Sequence, residues 1–282
     1  MGKIINAKVV ENRQITPDIF DLRIHSPGQA DNAVAGQFLG IYTGNNAMLL
    51  PRPLSICEID RAEGILRVVY RVVGGGTKEI ACVAPGGTLR VLGPLGSGYD
   101  LTTENTEGHG KEQKPLIAIV GGGLGVPPLL GLAADIRKNM PDAKIAVYMG
   151  FRDKSQVILE EDFGRYADEI TVCTDDGSYD MADEAPAGSK TAYFDGNAIE
   201  AMPQRPQFDV VYGCGPKPML KALAKYAEDF NLPCFVSVEE HMACCVGTCL
   251  ACAVKARQEN GQLTIKRACC DGPVFNAKEL VW

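Results

Sequence analysis

The sequence predicts an α+β protein of several domains: an N-terminal antiparallel β-barrel, an α/β domain on a parallel sheet, and a small cysteine-rich segment. Three observations predict it. Residues 1–98 carry short alternating runs, such as Leu66-Arg67-Val68-Val69-Tyr70-Arg71-Val72-Val73, separated by glycine turns. From Pro115 the pattern changes to fully apolar runs that lead into helical stretches. Six of the 11 cysteines then crowd between Cys244 and Cys270.

The first segment reads as β-rich because its short runs are regularly spaced and bounded by turns such as Gly74-Gly75-Gly76 and Pro85-Gly86-Gly87. That spacing suits a small barrel or sandwich, and the barrel is adopted for residues 1–98. A polar stretch without period, from Thr102 to Gln113, sets residues 99–114 apart as a linker. In residues 115–238, Leu116-Ile117-Ala118-Ile119-Val120 is a buried parallel strand that enters glycines and then an apolar-faced helix over about 127–139. Further strands are expected at 145–149, 170–173, 210–212 and 235–238. A helix over 217–230 places Leu220, Leu223, Ala227 and Phe230 on one stripe. Alternating strands and helices imply a parallel sheet with crossovers. Residues 239–282 form the remaining segment.

Composition narrows the function. The chain has 282 residues, 46% hydrophobic and 22% charged, as in an ordinary globular protein. A formal charge of −7 argues against nucleic acid or an anionic membrane surface as the main partner. The opening Met1-Gly2-Lys3-Ile4-Ile5-Asn6 lacks a long apolar run, so a cytoplasmic protein is expected. In a reducing compartment, clustered cysteines more often hold metal than form disulfides.

The cysteine cluster is the strongest local signal. Cys244, Cys249 and Cys252 give C-x4-C-x2-C, the plant-type [2Fe–2S] spacing, which needs a distant fourth thiolate. Gly247 allows close backbone approach and frees amides to hydrogen-bond sulfur. Spacing alone leaves Cys245 competing with Cys244, and Cys270 with Cys269. A zinc knot also uses four cysteines, but it usually takes two C-x2-C pairs, and only one is present here.

Several loops suit nucleotides. In Arg52-Pro53-Leu54-Ser55 the arginine can fork onto a phosphate and the serine can hydrogen-bond a flavin edge. Val69-Tyr70-Arg71 and Gly76-Thr77 add a second basic residue, an aromatic and a turn able to cradle an anion. Gly121-Gly122-Gly123-Leu124-Gly125-Val126-Pro127-Pro128 joins a buried strand to a helix, so a pyrophosphate can approach the backbone at a helix N-terminus. Val126 stands where G-x-G-x-x-G has its last glycine, and a plain tight turn is the competing reading. Asp175 and Asp176 are candidates for ribose hydroxyls, and Cys214, between Gly213 and Gly215, for a place beside a nicotinamide ring. A lone cysteine is more often a small buried hydrophobe.

Taken in order, Arg52-Pro53-Leu54-Ser55, the glycine-rich loop, Cys214-Gly215-Pro216 and the cysteine cluster resemble the ferredoxin reductase superfamily with a [2Fe–2S] appendage. Glu239-Glu240-His241-Met242-Ala243-Cys244 and Cys269-Cys270-Asp271-Gly272-Pro273-Val274-Phe275 narrow the resemblance to electron-transfer subunits of NAD-dependent dihydroorotate dehydrogenase. The resemblance covers nearly the whole chain. It implies FAD on residues 52–55, Val69, Tyr70, Arg71, Gly76 and Thr77, a [2Fe–2S] cluster on Cys244, Cys249, Cys252 and Cys269, and NAD(H) on the second domain. Cys269 is selected over Cys270 because the family's last cysteine precedes Asp-Gly-Pro by one residue. An FMN-containing dihydroorotate dehydrogenase catalytic subunit is the implied partner, in a heterotetramer. A related reductase, the NADH-dependent ferredoxin:NADP oxidoreductase or sulfide dehydrogenase type, tends towards Pro-Leu-Thr where this chain has Pro53-Leu54-Ser55. Arg152 suits a 2′-phosphate and Asp153 repels it, so the residues leave NAD or NADP open. A zinc-stabilised, non-catalytic module is the reading from another class.

Overall fold

The computed structural model describes residues 3–45, 47–101, 114–179 and 190–282. The expected linker stretch from Thr102 to Gln113 lies outside them. Contacts divide the chain into two compact units. The first is Met1–Tyr99, Glu239–Val274 and Val281; the second is Asp100–Val238, Phe275–Leu280 and Trp282.

In the first unit, β1 (Lys3–Gln14), β2 (Ile19–His25), β3 (Phe38–Tyr42), β4 (Arg52–Asp60), β5 (Ile65–Arg71) and β6 (Thr88–Leu95) close a barrel in the order β1-β2-β5-β4-β3-β6. The period-2 alternation read from sequence is what fills it: Leu22, Ile24, Leu66 and Val68 are all buried in one core cluster. On the other face Arg67 forks onto Asp21 at 3.0 and 2.9 Å, both side chains almost wholly buried. Arg67 also reaches Glu58 at 3.2 Å, so the larger loss, about 3–5 kcal/mol, is expected from removing Arg67 and leaving the Asp21 carboxylate buried. Two short helices, α1 (Pro27–Ala30) and α2 (Gly75–Ala81), fill the connections.

The C-terminal part of this unit holds a hairpin of β13 (Ala253–Arg257) and β14 (Leu263–Arg267). Its Asp271-Gly272-Pro273 turn lies backbone to backbone on the loop after β6. The Ser97 amide donates to the Gly272 carbonyl at 2.6 Å, and a Cβ on Gly96 would stand 2.7 Å from that oxygen.

The second unit is built on a sheet of β7 (Leu116–Gly122), β8 (Lys144–Phe151), β9 (Glu169–Thr174), β10 (Thr191–Asp195), β11 (Val210–Cys214), β12 (Cys234–Ser237) and β15 (Val274–Asn276). Their order is β10-β9-β8-β7-β11-β12-β15. All neighbours from β10 to β12 run parallel. Crossovers include α3 (Val126–Asn139), α4 (Glu160–Phe163) and α5 (Lys217–Asp229). The chain builds outward from β7 to β10, then returns to place β11 on the other side of β7. The ends of β7 and β11 therefore flank the point where strand order reverses, the usual ligand crevice of an open parallel sheet.

Two sequence expectations are corrected here. The stripe on α5 buries Leu220, Leu223 and Ala227, but Phe230 lies at the helix C-cap, 38% exposed, with its ring 4.9 Å from that of Tyr226. The helix ends one residue early, so the periodicity no longer points Phe230 inward. A strand not expected from sequence, β10, forms where Thr191-Ala192-Tyr193-Phe194-Asp195 pairs with β9 as an edge, only partly buried.

Candidate cofactor sites

The first site sits where the barrel's ladder opens. β4 and β5 pair from Ile56–Val68 to Asp60–Ile65 and no further. Before Ile56, residues 52–55 pair only with β3; beyond Val68, residues 69–71 pair only with β2. The two segments singled out for flavin thus face each other across a splayed stretch of barrel wall.

At its edge the Arg52 guanidinium donates to the Leu50 carbonyl at 2.5 Å and to Met48 Sδ at 3.5 Å. These acceptors are neutral, and no carboxylate pairs with Arg52 among the described residues. Arg71 differs, since its Nε lies 2.9 Å from Asp18 Oδ2. Arg52 is therefore the cation better placed for an incoming anion. Gly76 lies directly beneath it, where a Cβ would overlap the guanidinium. Pro53, Leu54 and Ser55 are half-buried, and Val69 is buried.

Tyr70 and Thr77 are placed differently from a surface reading. The Tyr70 ring is a core side chain, 2% exposed, stacked on Phe20 at 5.9 Å, with its hydroxyl donating to Asn12 Oδ1 at 3.2 Å. Burial pushes its phenol far above the usual range. The Thr77 hydroxyl accepts from the Val73 and Gly74 amides at 3.0 and 3.3 Å, closing the turn into α2.

The second site is the crevice at the ends of β7 and β11. Gly121 and Gly122 end β7, and a 3-10 turn over Gly123–Gly125 leads into α3. The glycines have separate reasons. A Cβ on Gly125 would overlap the Cys214 carbonyl, and one on Gly122 would stand 2.6 Å from Met219 Sδ. Gly125 thus lets its loop meet the end of β11 backbone to backbone, and Gly122 leaves room for the Met219 side chain of α5. Gly123 has φ +54 and nothing within 4 Å of its Cβ position, so it alone presents an open face to a ligand. Gly213 is packed under Leu223, and Gly215, with φ +157, lies against the Gly122 amide.

Cys214 ends β11 and is 2% exposed. Asp175 and Asp176 follow β9. Asp175 is exposed, while the Asp176 carboxylate accepts the Ser178 amide at 2.9 Å and so closes its own loop. The Asp153 carboxylate likewise accepts from Ser155 Oγ, Gln156 Nε2 and Ser155 N at 2.5, 2.7 and 2.9 Å, and those bonds hold its pKa below the ordinary value.

The third site gathers the cysteines. Cys244 Sγ accepts three backbone amides, from Val246, Thr248 and Cys249, at 3.5, 3.3 and 3.4 Å. Desolvation pushes this thiol up, but the amides and a hydrogen bond from Cys249 outweigh it and bring it down to about 6. Cys249 Sγ accepts the Ala251 amide at 3.5 Å. Cys244 also hydrogen-bonds the Cys249 thiol, and Cys269 hydrogen-bonds the thiols of both Cys252 and Cys270. Four thiolates are the donor set a [2Fe–2S] cluster needs, and Cys244, Cys249, Cys252 and Cys269 would supply them. Cys245 is 1% exposed on left-handed backbone, φ 61, and burial pushes its thiol up to about 12.

Arg267 and Asp271 were missed from sequence. Arg267 pairs with Asp271 through Nε and Nη2, both at 3.0 Å, and its Nη1 donates to the Gly247 carbonyl at 3.3 Å. It therefore clips the loop of Cys244, Cys249 and Cys252 to the turn that carries Cys269. The available signal was an arginine and an aspartate four apart, bracketing two cysteines.

A flavin-type barrel opening, a nucleotide crevice and a paired-thiol loop in one chain define a ferredoxin reductase-like oxidoreductase that carries an iron–sulfur segment. Residues 239–281 match the family described as the iron–sulfur cluster binding domain of dihydroorotate dehydrogenase B, and residues 119–225 match the oxidoreductase NAD-binding domain. The dihydroorotate dehydrogenase B (NAD(+)) electron transfer subunit of Geobacillus kaustophilus (strain HTA426) is 37% identical over 274 residues, covering 97% of this chain and 96% of that one. The chain belongs to this family of electron transfer subunits.

Among solved structures, the NADH-dependent reduced ferredoxin-NADP oxidoreductase studied for flavin-based electron bifurcation matches with a TM-score of 0.79 and 29% identity, covering 100% of this chain and 92% of that one. A ferredoxin NADP+ reductase from Neisseria gonorrhoeae, solved with FAD and NADP, has a TM-score of 0.60 at 16% identity, covering 81% and 92%, and so shares the fold.

Proposed function

We propose that this chain carries electrons from a dihydroorotate-oxidising, FMN-bearing catalytic subunit through a [2Fe–2S] cluster and FAD to NAD+, in pyrimidine biosynthesis. The observation that carries the reading is the coexistence of the three sites above in a chain of this family. NAD(H) exchanges electrons in pairs as hydride and an iron–sulfur cluster takes them singly, so FAD supplies the chemistry that joins them.

The chain's own residues do the holding. Arg52 anchors the FAD phosphates above Gly76, and Ser55 with the backbone of residues 69–71 receives the flavin edge in the splayed wall. Cys244, Cys249, Cys252 and Cys269 ligate the cluster, with the amides of Val246, Thr248 and Ala251 stabilising negative charge on sulfur. Gly123 admits the nucleotide pyrophosphate, Asp175 takes ribose hydroxyls, and Cys214 borders the nicotinamide.

The partner fits the surface around the cluster. Val246, Leu250, Leu263 and Ile265 are exposed by 38%, 59%, 62% and 57%, and the last two share one face of β14. Apolar side chains concentrated beside a redox centre suit a docking face that shortens the electron path and excludes water. A heterotetramer of two subunits of each kind in the cytoplasm is the assembly this reading implies.

Anaerobic co-purification with the neighbouring catalytic subunit tests it. Dihydroorotate-dependent NADH formation by the pair, and by neither subunit alone, is expected. Instead, recovery of a large flavin and [4Fe–4S] partner with no dihydroorotate activity would transfer the chain to the ferredoxin-NADP oxidoreductase type.

A further inference from the structure

We propose that Cys270 is a reserve ligand of the cluster, able to take the place of Cys269 on its iron. The inference rests on the reading that a [2Fe–2S] cluster is held by Cys244, Cys249, Cys252 and Cys269, and concerns a thiol that reading leaves without a role.

Three observations place Cys270 at the cluster's edge. Its Sγ lies 3.7 Å from that of Cys269. Two thiolates on one tetrahedral metal, with metal–sulfur bonds of about 2.3 Å, stand about 3.8 Å apart, so the Cys270 sulfur lies within one ligand spacing of the Cys269 sulfur. The side chain also lies against the ligand loop. Gly247 has φ +79, and a Cβ there would lie 2.6 Å from Cys270 Sγ, so the sulfur rests on the middle of the segment between Cys244 and Cys249. Finally, the turn is locked. The amides of Cys270 and Asp271 both donate to the Arg267 carbonyl, at 3.1 and 2.8 Å, and Arg267 is clipped to Gly247.

Cys270 is exposed, so its sulfur is open to approach from the cluster side of the turn and from solvent. In the exchange the iron–sulfur bond to Cys269 breaks and one to Cys270 forms, the proton released by the incoming thiol passing to the departing Cys269 thiolate. In Cys269→Ala the new bond simply forms and the proton goes to solvent, and in neither case does an electron move. Cys245, the other additional thiol, has no such freedom, being 1% exposed on left-handed backbone.

The test compares Cys269→Ala with Cys269→Ala/Cys270→Ala in the full chain, purified anaerobically, with alanine chosen because it offers no replacement oxygen ligand. Far-UV circular dichroism and FAD content verify folding in both. The single variant is expected to keep about two irons and two sulfides per chain with altered g values in its reduced EPR spectrum, and the double variant to lose both. A single variant as iron-free as the double overturns the proposal, as does a double variant that still holds the cluster. Wild-type protein devoid of iron overturns the underlying reading, which separates the two failures.

Discussion

Gly76→Ala isolates the anchoring role of Arg52 without touching the arginine. A methyl at Gly76 overlaps the Arg52 Nε and Cζ positions, atoms at the end of a flexible side chain, so the guanidinium swings away and the backbone stays. Gly76 lies inside α2, where alanine gains about 0.5–1 kcal/mol over glycine. Losing the Arg52 bond to the Leu50 carbonyl costs about the same. The two nearly cancel, and the melting temperature should move by no more than about 2–4 °C. A charge-assisted bond to phosphate is worth about 1.5–3 kcal/mol, so FAD should bind about 10- to 150-fold more weakly. The assay is reconstitution of flavin-stripped protein, read by quenching of flavin fluorescence, with Gly74→Ala as control because nothing lies within 4 Å of its Cβ position. Wild-type flavin affinity in Gly76→Ala would refute the anchoring role of Arg52, and flavin loss only alongside global unfolding would refute the steric reasoning.

Other perturbations address the remaining parts. Gly125→Ala drives a methyl into the Cys214 carbonyl, which is backbone and has little room to yield; a stability loss of about 1–3 kcal/mol in urea and weakened nucleotide binding are expected. Leu250→Asp puts a charge on the exposed apolar face beside the cluster, and should weaken association with the catalytic subunit in sedimentation while leaving iron and flavin contents intact. Asp168 gives the pH dependence. Its partial burial raises the carboxyl pKa, but the Ile145 amide at 2.9 Å and Arg137 at 2.6 Å outweigh that and hold it below 3.8. A depressed carboxyl stabilises fully above its unfolded value and loses that contribution as pH falls through the lower folded one. Thermal melts should therefore drop below about pH 4, and Asp168→Asn should flatten that acid limb.

Much of this was legible in the chain because periodicity and cysteine spacing are local signals. The barrel strand carrying Val68 and the buried strand carrying Ile117 each announce their environment within a few residues. Cys244, Cys249 and Cys252 announce a metal by spacing alone. The packing of Tyr70 was less legible: its stacking on Phe20 and its hydrogen bond to Asn12 join residues far apart in the chain. The purpose of Gly125 was hidden because the Cys214 carbonyl it accommodates is distant in sequence. The Arg267 clip was hidden for the same reason, since its acceptor is the backbone of Gly247. β10 escaped notice because an edge strand that is only partly buried carries no apolar run.

The most direct test of the relay is anaerobic reduction of the purified chain by NADH, followed together by visible absorbance and low-temperature EPR. Bleaching of the flavin bands with the appearance of a rhombic signal from a reduced two-iron centre is the predicted result. Flavin that bleaches while no cluster signal develops, in protein shown to contain iron and sulfide, would contradict electron passage between the two carriers.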